Sequence, residues 1–436
     1  MKAALAGLTG EDSTGLEMRA WQSVFALVLW MLTAYFCHTP PLPVWAEPLV
    51  PVPSLILVAN ALGPDPWAVR WLHPRRSTRL EAVVVVLISI LTMAIALGSA
   101  QPGTDQPLTL KCASRDLLRG HDPYRTYEAQ CAAELDYRGS SLTDVATGPF
   151  AHLTGPPTAA LQRKVELRDQ LTGQHAGFPP YGYPPDATLL LLPVAFAGWP
   201  VTWLYVMALC ALLFSFLWMA GPRPKGWIVL CASQLVAFAL MVTVFNMLWD
   251  PEFISYLLLA GAFAMIGRRR TSALLLSGAV CSNQLTWIVV PVYLAITLRE
   301  SGAWERVAWL VGAIGAGMIP WWIWDHALPA QLLHFLELPY FPGGRSIGAL
   351  FPGSGHSELY LVGLAGAIAL GTAVAWRSRR WRWAMAAVVY GSFIVSSRGL
   401  SYYFMPLFWL SPAVLLGSWR WGNSQPQVAS ELALGS

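Results

Sequence analysis

The sequence predicts an all-α polytopic membrane protein with about 12 membrane segments, roughly 10 to 13, and a long external loop after the third helix. Three observations carry this. Its 28 basic and 24 acidic residues are only 12% of 436, about half the usual share of a soluble domain. Hydrophobic residues make up 55%, with 22 tryptophans, which leaves too little polar surface to cover a globule. Uncharged runs near the roughly 20 residues needed to cross a bilayer recur along the chain. This composition excludes a soluble enzyme, a disordered scaffold and a nucleic-acid binder.

Residues 1–19 form a cytoplasmic N-terminus. Lys2 and Arg19 mix there with Glu11, Asp12 and Glu17, unlike the basic start of a secretory signal, so the next apolar run is an uncleaved helix. Residues 20–100 hold the first three membrane helices, within 20–46, 48–63 (weaker and proline-broken) and 82–100. Residues 101–186 form the external loop. The apolar run 187–222 is too long for one span and carries Gly198, Trp199 and Pro200 in its middle. Further spans fall near 227–245, 253–267 and 307–324. Residues 325–358 make a second external loop. Residues 359–418 hold the last three helices, near 359–376, 383–396 and 402–417, and 419–436 form a cytoplasmic tail.

Arginines orient these segments. Short connections carry Arg70, Arg75, Arg76 and Arg79, then Arg223 and Lys225, then Arg268, Arg269 and Arg270, then Arg299 and Arg306, then Arg377, Arg379, Arg380 and Arg382. An excess of Lys and Arg in short loops marks the cytoplasmic side. All five groups face it together only if 271–298, 28 uncharged residues, enters and leaves on one side as a pair of short helices. Both termini are then cytoplasmic. The alternative is one span, with Arg299 and Arg306 outside.

Polar chemistry gathers on the opposite face. The two long loops are rich in aromatics, Pro and Gly, and unstructured loops of such length are usually functional or disordered. Cys37, Cys210, Cys231 and Cys281 lie in apolar runs as small core residues; Cys112 and Cys131 lie in the first external loop, where an oxidising compartment permits a disulfide. No spacing suits a zinc site, and no Gly-rich phosphate loop appears.

In the first loop, Asp105, Pro107 and Gly120 bracket a short helix over 108–119 as N-cap, first-turn proline and C-terminal glycine. Asp105, Cys112 and Asp116 share one helical face. Asp105 reads as a helix cap, as a carboxylate at the membrane boundary able to act as general base, or as both; Asp116 is the runner-up. Asp122-Pro123-Tyr124 follows and reads first as a turn. Farther on, Tyr181-Gly182-Tyr183-Pro184-Pro185 precedes an apolar stretch too short to span, which re-enters or lies along the interface. The prolines force an extended approach and a sharp turn. Asp122, Tyr124, Tyr181 and Tyr183 either anchor the interface or shape a substrate groove.

Asp105, the run Leu117-Leu118-x-Gly120-x-Asp122-Pro123-Tyr124 and the later Tyr183-Pro184-Pro185 resemble bacterial GT-C glycosyltransferases, most nearly the polyprenyl-phosphate-mannose-dependent alpha-mannosyltransferases. Residues 278–291, with Ser282-Asn283-Gln284-Leu285-Thr286-Trp287, are similar to that family's short cytoplasmic-side helix pair. Members usually carry Lys where Asn283 stands and a shorter first loop. The resemblance covers roughly residues 80–420. It implies an integral protein of the bacterial inner membrane with an active site on the periplasmic or extracellular face. There an inverting transfer moves a mannose-like hexose from a polyprenyl-phosphate donor to a lipid or glycan acceptor. Asp105 is the implied base. The departing lipid phosphate needs a cation, and Arg345, Arg398 and His326 are the candidates, the arginines favoured for their fork-shaped match to phosphate and otherwise headgroup anchors. The partners are donor, acceptor and bilayer, with no nucleic acid. No cofactor is implied, and a divalent cation is left open. The alternatives are a lipid-linked glycan transporter or flippase, which intramembrane charges and internal repeats would favour, and an oligosaccharide polymerase or ligase.

Overall fold

The computed structural model describes residues 106–125, 181–199, 252–300, 302–333 and 357–377, together with residues 163, 166, 170, 343–344, 384, 387–392 and 398–399. Among these the structure is helical, apart from one pair of two-residue strands. The helices are α1 (Gln106–Leu118), α2 (Pro185–Phe196), α3 (Glu252–Ala264), α4 (Arg269–Ser282), α5 (Val290–Thr297), α6 (Ala303–Trp324), α7 (Leu328–Leu333) and α8 (Ser357–Arg377), with 3-10 turns at Pro123–Arg125 and Gln284–Val289. The expected spans 20–46, 48–63, 82–100, 227–245 and 402–417 lie outside the described residues.

Two of these helices are long and apolar enough to cross a membrane. They are Ala303–Trp324, with mean hydropathy 1.5, and Tyr360–Arg377, with 1.4. Val311, Ile323, Val362 and Leu370 stand exposed along them. α2 is different. Its 12 residues rise about 18 Å, short of a crossing, as its sequence implies. Pro184 is extended (ψ 156°) and Pro185 occupies the first helical turn, where a missing N–H costs nothing. Gly198 (φ +66°) closes the helix in a left-handed conformation suited to glycine.

Residues 269–297 form a hairpin. α4 ends at Asn283, whose backbone is extended (φ −155°, ψ 125°), and the chain reverses through the 3-10 turn into α5. Pairings across the reversal run antiparallel. Trp287 Nε1 donates to Val280 O (2.8 Å) and Thr286 Oγ1 to Ala279 O (3.0 Å) near the tip, while Ser272 Oγ meets Tyr293 OH (2.7 Å) near the base. The chain thus enters and leaves at one end.

That end is held by arginines. Arg270 Nε meets Glu305 Oε1 at 2.8 Å, and Arg306, only 2% exposed, meets Glu300 Oε2 at 2.7 Å. Arg299 donates to Trp376 O and lies over the Trp376 ring at 5.9 Å, which ties the hairpin exit to α8. Arg268–Arg270 and Arg299–Arg306 therefore share one end, as the charge pattern requires of a helix pair.

Close packing depends on small residues, as between helices in lipid. A Cβ on Gly278 would sit 3.2 Å from Leu258, and one on Gly317 would sit 3.0 Å from Cys281 Sγ. The tightest approach is at Gly371 of α8. A Cβ there would lie 2.0 Å from Val388 Cγ2 and 3.0 Å from Ala384 O. Valine is stiff at χ1, so the neighbouring segment must move. Gly371→Ala is expected to destabilise the protein by about 1–3 kcal/mol, read as a lower thermal midpoint in detergent. Val388→Ala in the same chain should recover part of the loss; no recovery would mean that the contact does not limit the packing.

Candidate functional site

Opposite the arginine end, segments far apart in sequence meet where α6 finishes. Tyr124 and Tyr181 are fully buried, with ring centroids 5.3 Å apart. Tyr181 stacks at a tilt with Tyr183 (5.6 Å), and Trp321 of α6 meets Tyr124 edge-on at 6.1 Å. Leu110 and Ala113 of α1, Leu191 and Val194 of α2, and Leu328 and Leu332 of α7 complete this core. Hydrogen bonds fix its parts. Tyr124 OH donates to Tyr183 O (3.1 Å), Gln331 Nε2 to Tyr124 O (2.9 Å), and Ser114 Oγ lies 2.8 Å from Thr188 O. Tyr181 OH pairs with Thr188 Oγ1. Tyr124 and Tyr181 thus form the floor of the region, while Tyr183 is part-exposed.

Three carboxylates surround this floor. Asp122 Oδ1 accepts from Tyr124 N (3.0 Å), which makes the turn expected of Asp-Pro, and Oδ2 lies 3.4 Å from Arg125 Nε. Asp325, 8% exposed, follows α6 and turns the chain into α7, its Oδ1 accepting from Ala327 N (3.0 Å). Its other oxygen is buried without a hydrogen-bond donor. Burial raises the Asp122 carboxyl above its ordinary value, and the adjacent Asp325 adds to this against the Tyr124 N–H. Burial, then the neighbouring Tyr181 and these carboxylates, also raises the Tyr124 phenol, so it stays neutral as a donor.

Asp186 stands apart from this pair. It lies in the first turn of α2, where a negative charge suits the helix dipole. Its Oδ1 is 3.9 Å from the position of a Gly317 Cβ, beside Cys281 in the last turn of α4. Burial alone raises its carboxyl to about 6. The hairpin tip reaches the same place, because Gln284 Nε2 donates to Gly182 O at 3.0 Å.

The structure therefore brings together Asp122, Tyr124, Tyr181 and Tyr183. Asp116 lies part-exposed in α1, its carbonyl accepting from His121 N at 2.9 Å. His326, exposed in the turn after α6, places Nδ1 2.8 Å from Trp322 O. Arg398 lies in a strand pairing in parallel with Gly343–Gly344, register Gly343↔Arg398, so the residues just before Arg345 run beside Arg398. Asp105, Arg345 and Cys131 lie outside the described residues. No group of three or more His, Cys, Asp or Glu among the described residues is arranged to hold a metal ion.

Sequence reading missed Asp186, Asp325 and Gln331, and met Gln284 only as part of the Ser282–Trp287 run. Asp186 is an unremarkable first-turn acid after two prolines, and the other three acquire meaning only through partners 102 to 207 residues away, as with Gln284–Gly182 and Gln331–Tyr124. No family model, curated protein or solved structure matches the chain.

A carboxylate at about 6 in the native state has a sign for stability. The native protein keeps this proton to higher pH than the unfolded chain, where the value is 3.8. Stability from this group is therefore lost as pH rises from about 4 to about 6, and at pH 7 the ionised form is a net cost. Asp186→Asn is expected to flatten that part of the stability curve and raise the thermal midpoint at pH 7. An equal loss at pH 4 and pH 7 would contradict the assignment.

Proposed function

We propose that the chain is an integral-membrane glycosyltransferase that moves a mannose-like hexose from a polyprenyl-phosphate donor to a lipid or glycan acceptor, with inversion, at the end of the molecule where α6 finishes. The observation that carries this reading is the meeting of the two motif segments. Asp122-Pro123-Tyr124 and Tyr181-Gly182-Tyr183 pack on each other and on Trp321. A carboxylate-rich, aromatic region beside a helix long enough to span a membrane suits a substrate with a sugar head and an isoprenoid tail.

In the proposed reaction the acceptor hydroxyl oxygen attacks the anomeric carbon from the face opposite the phosphate. Asp105, directly before α1, takes the hydroxyl proton. The bond from the anomeric carbon to the phosphate oxygen breaks, and polyprenyl phosphate leaves with the electron pair. The leaving group is a weak base, so a cation suffices where an acid is otherwise needed. Arg398 and Arg345 are assigned that role, supported by the pairing of Gly343–Gly344 with Arg398–Gly399; His326 is the third candidate. Tyr124 and Tyr181 shape the floor, and Asp122 and Tyr183 its rim. Asp116, on the face of α1 that Asp105 extends, is the alternative base. The protein sits in the bacterial inner membrane with the arginine end cytoplasmic.

The test is transfer by the reconstituted chain from radiolabelled polyprenyl-phosphate mannose to endogenous lipid acceptors. Asp105→Asn is expected to lower the rate by roughly 100- to 10,000-fold, the usual contribution of a general base, with the protein still folded. Normal transfer by that variant would remove Asp105. Movement of an intact lipid-linked glycan across the bilayer, without formation of a new glycosidic bond, would replace the enzyme by a flippase.

A further inference from the structure

The hairpin tip carries polar groups that the fold leaves unused. Asn283 is 2% exposed and Gln284 8%. Asn283 Oδ1 accepts from Leu285 N (2.7 Å), but Nδ2 is buried with no acceptor among the described residues. Gln284 Nε2 is anchored on Gly182 O, which fixes its carboxamide against the 182–186 segment, yet Oε1 is buried with no donor among the described residues. A buried polar atom without a partner is uncommon and costs free energy. Asp186 closes the same segment and stands beside Cys281, two residues before Asn283, and burial raises its carboxyl.

These groups want different things. Asp186 and Gln284 Oε1 accept hydrogen bonds, whereas Asn283 Nδ2 donates one. A bound cation would satisfy the acceptors and repel the amide donor. An anion would suit the amide donor and be repelled by the carboxylate. A hydroxyl both donates and accepts, so vicinal hydroxyls on a ring match a carboxylate together with one amide donor and one amide acceptor. Tyr183, part-exposed and next but two to Asp186 in sequence, adds an aromatic face of the kind a pyranose ring packs against.

We infer that Asp186, Asn283 and Gln284 form a hydroxyl-binding subsite at the junction of the α2 N-terminus and the hairpin tip, and that its ligand is a neutral hexose unit. This deepens the sugar-transfer reading and rests on it for the choice of hexose. Asp186 accepts two ring hydroxyls from the accessible side, and the two amides complete the bonds behind them. Gly317 borders the same place: a Cβ there would sit 3.0 Å from Cys281 Sγ and in ordinary contact with Asp186 Oδ1, at 3.9 Å.

The experiment is saturation-transfer difference NMR on the full chain in nanodiscs, with D-mannose, D-glucose and D-galactose as separate probes and no donor lipid, so that binding is read without turnover. At least one hexose should give a saturable signal. Asp186→Asn and Gln284→Leu should each weaken it about tenfold or more, the usual scale for losing a hydrogen bond to a charged or buried group. The thermal midpoint at pH 7 shows that Asp186→Asn is folded. Absence of a saturable signal from all three sugars, or unchanged affinity in folded Asp186→Asn, overturns the subsite. The two proposals separate cleanly. Hexose binding that depends on Asp186 in a protein with no transferase activity sinks the enzyme and keeps the subsite; transfer by Asp186→Asn with unaltered donor affinity does the reverse.

Discussion

A chain that reverses inside a packed bundle must satisfy the backbone groups of the turn from inside the protein, since no solvent reaches them there. The rest of the described structure depends on how that is done at Asn283. Asn283 Oδ1 takes Leu285 N, Thr286 Oγ1 bridges toward Ala279 O and Asn283 O, and Trp287 Nε1 takes Val280 O. The reversal delivers Gln284 to Gly182, while α4 itself packs between α3 and α6. Without this local saturation the hairpin tip would need water, and the Tyr181–Pro185 segment would lose its support from below.

The two ends of the bundle divide the work. At one, arginines pair with Glu300 and Glu305 and clamp the hairpin base to α6 and α8. At the other, among the described residues, Asp122 pairs with the exposed Arg125, and Asp325 has an oxygen without a donor. Paired charges there would strengthen the fold more. Ionisable groups held at a cost to stability concentrate at functional sites, which is why this end is the candidate one.

The helical character and several single elements were legible in the sequence because they rest on local rules. The helix after Asp105, the short helix after Pro184-Pro185 and the paired helices over 271–298 follow from prolines, glycines, apolar length and arginine placement. Tyr124, Tyr181 and Tyr183 were legible as belonging to one region but not as its buried floor, because burial depends on Trp321 and Leu328 arriving from elsewhere. Asp186 was hidden because its local setting, an acid in a first helical turn, already explains it. Asp325 was hidden for a similar reason: its carboxylate makes the turn from α6 into α7, and only its nearness to Asp122 gives it a second meaning. The pairing of Gly343–Gly344 with Arg398–Gly399 joins two arginine-bearing segments that no sequence period connects.

The most direct test of the central claim, that the carboxylate end receives a lipid-linked sugar, is photolabelling. A polyprenyl-phosphate hexose bearing a diazirine on the sugar is irradiated with the full chain in nanodiscs, and the labelled residues are mapped by mass spectrometry. The predicted result is labelling confined to 122–124, 181–186, 281–287 and 321–331, competed away by unmodified donor. Labelling confined to the arginine end, around 268–270 and 299–306, would contradict it.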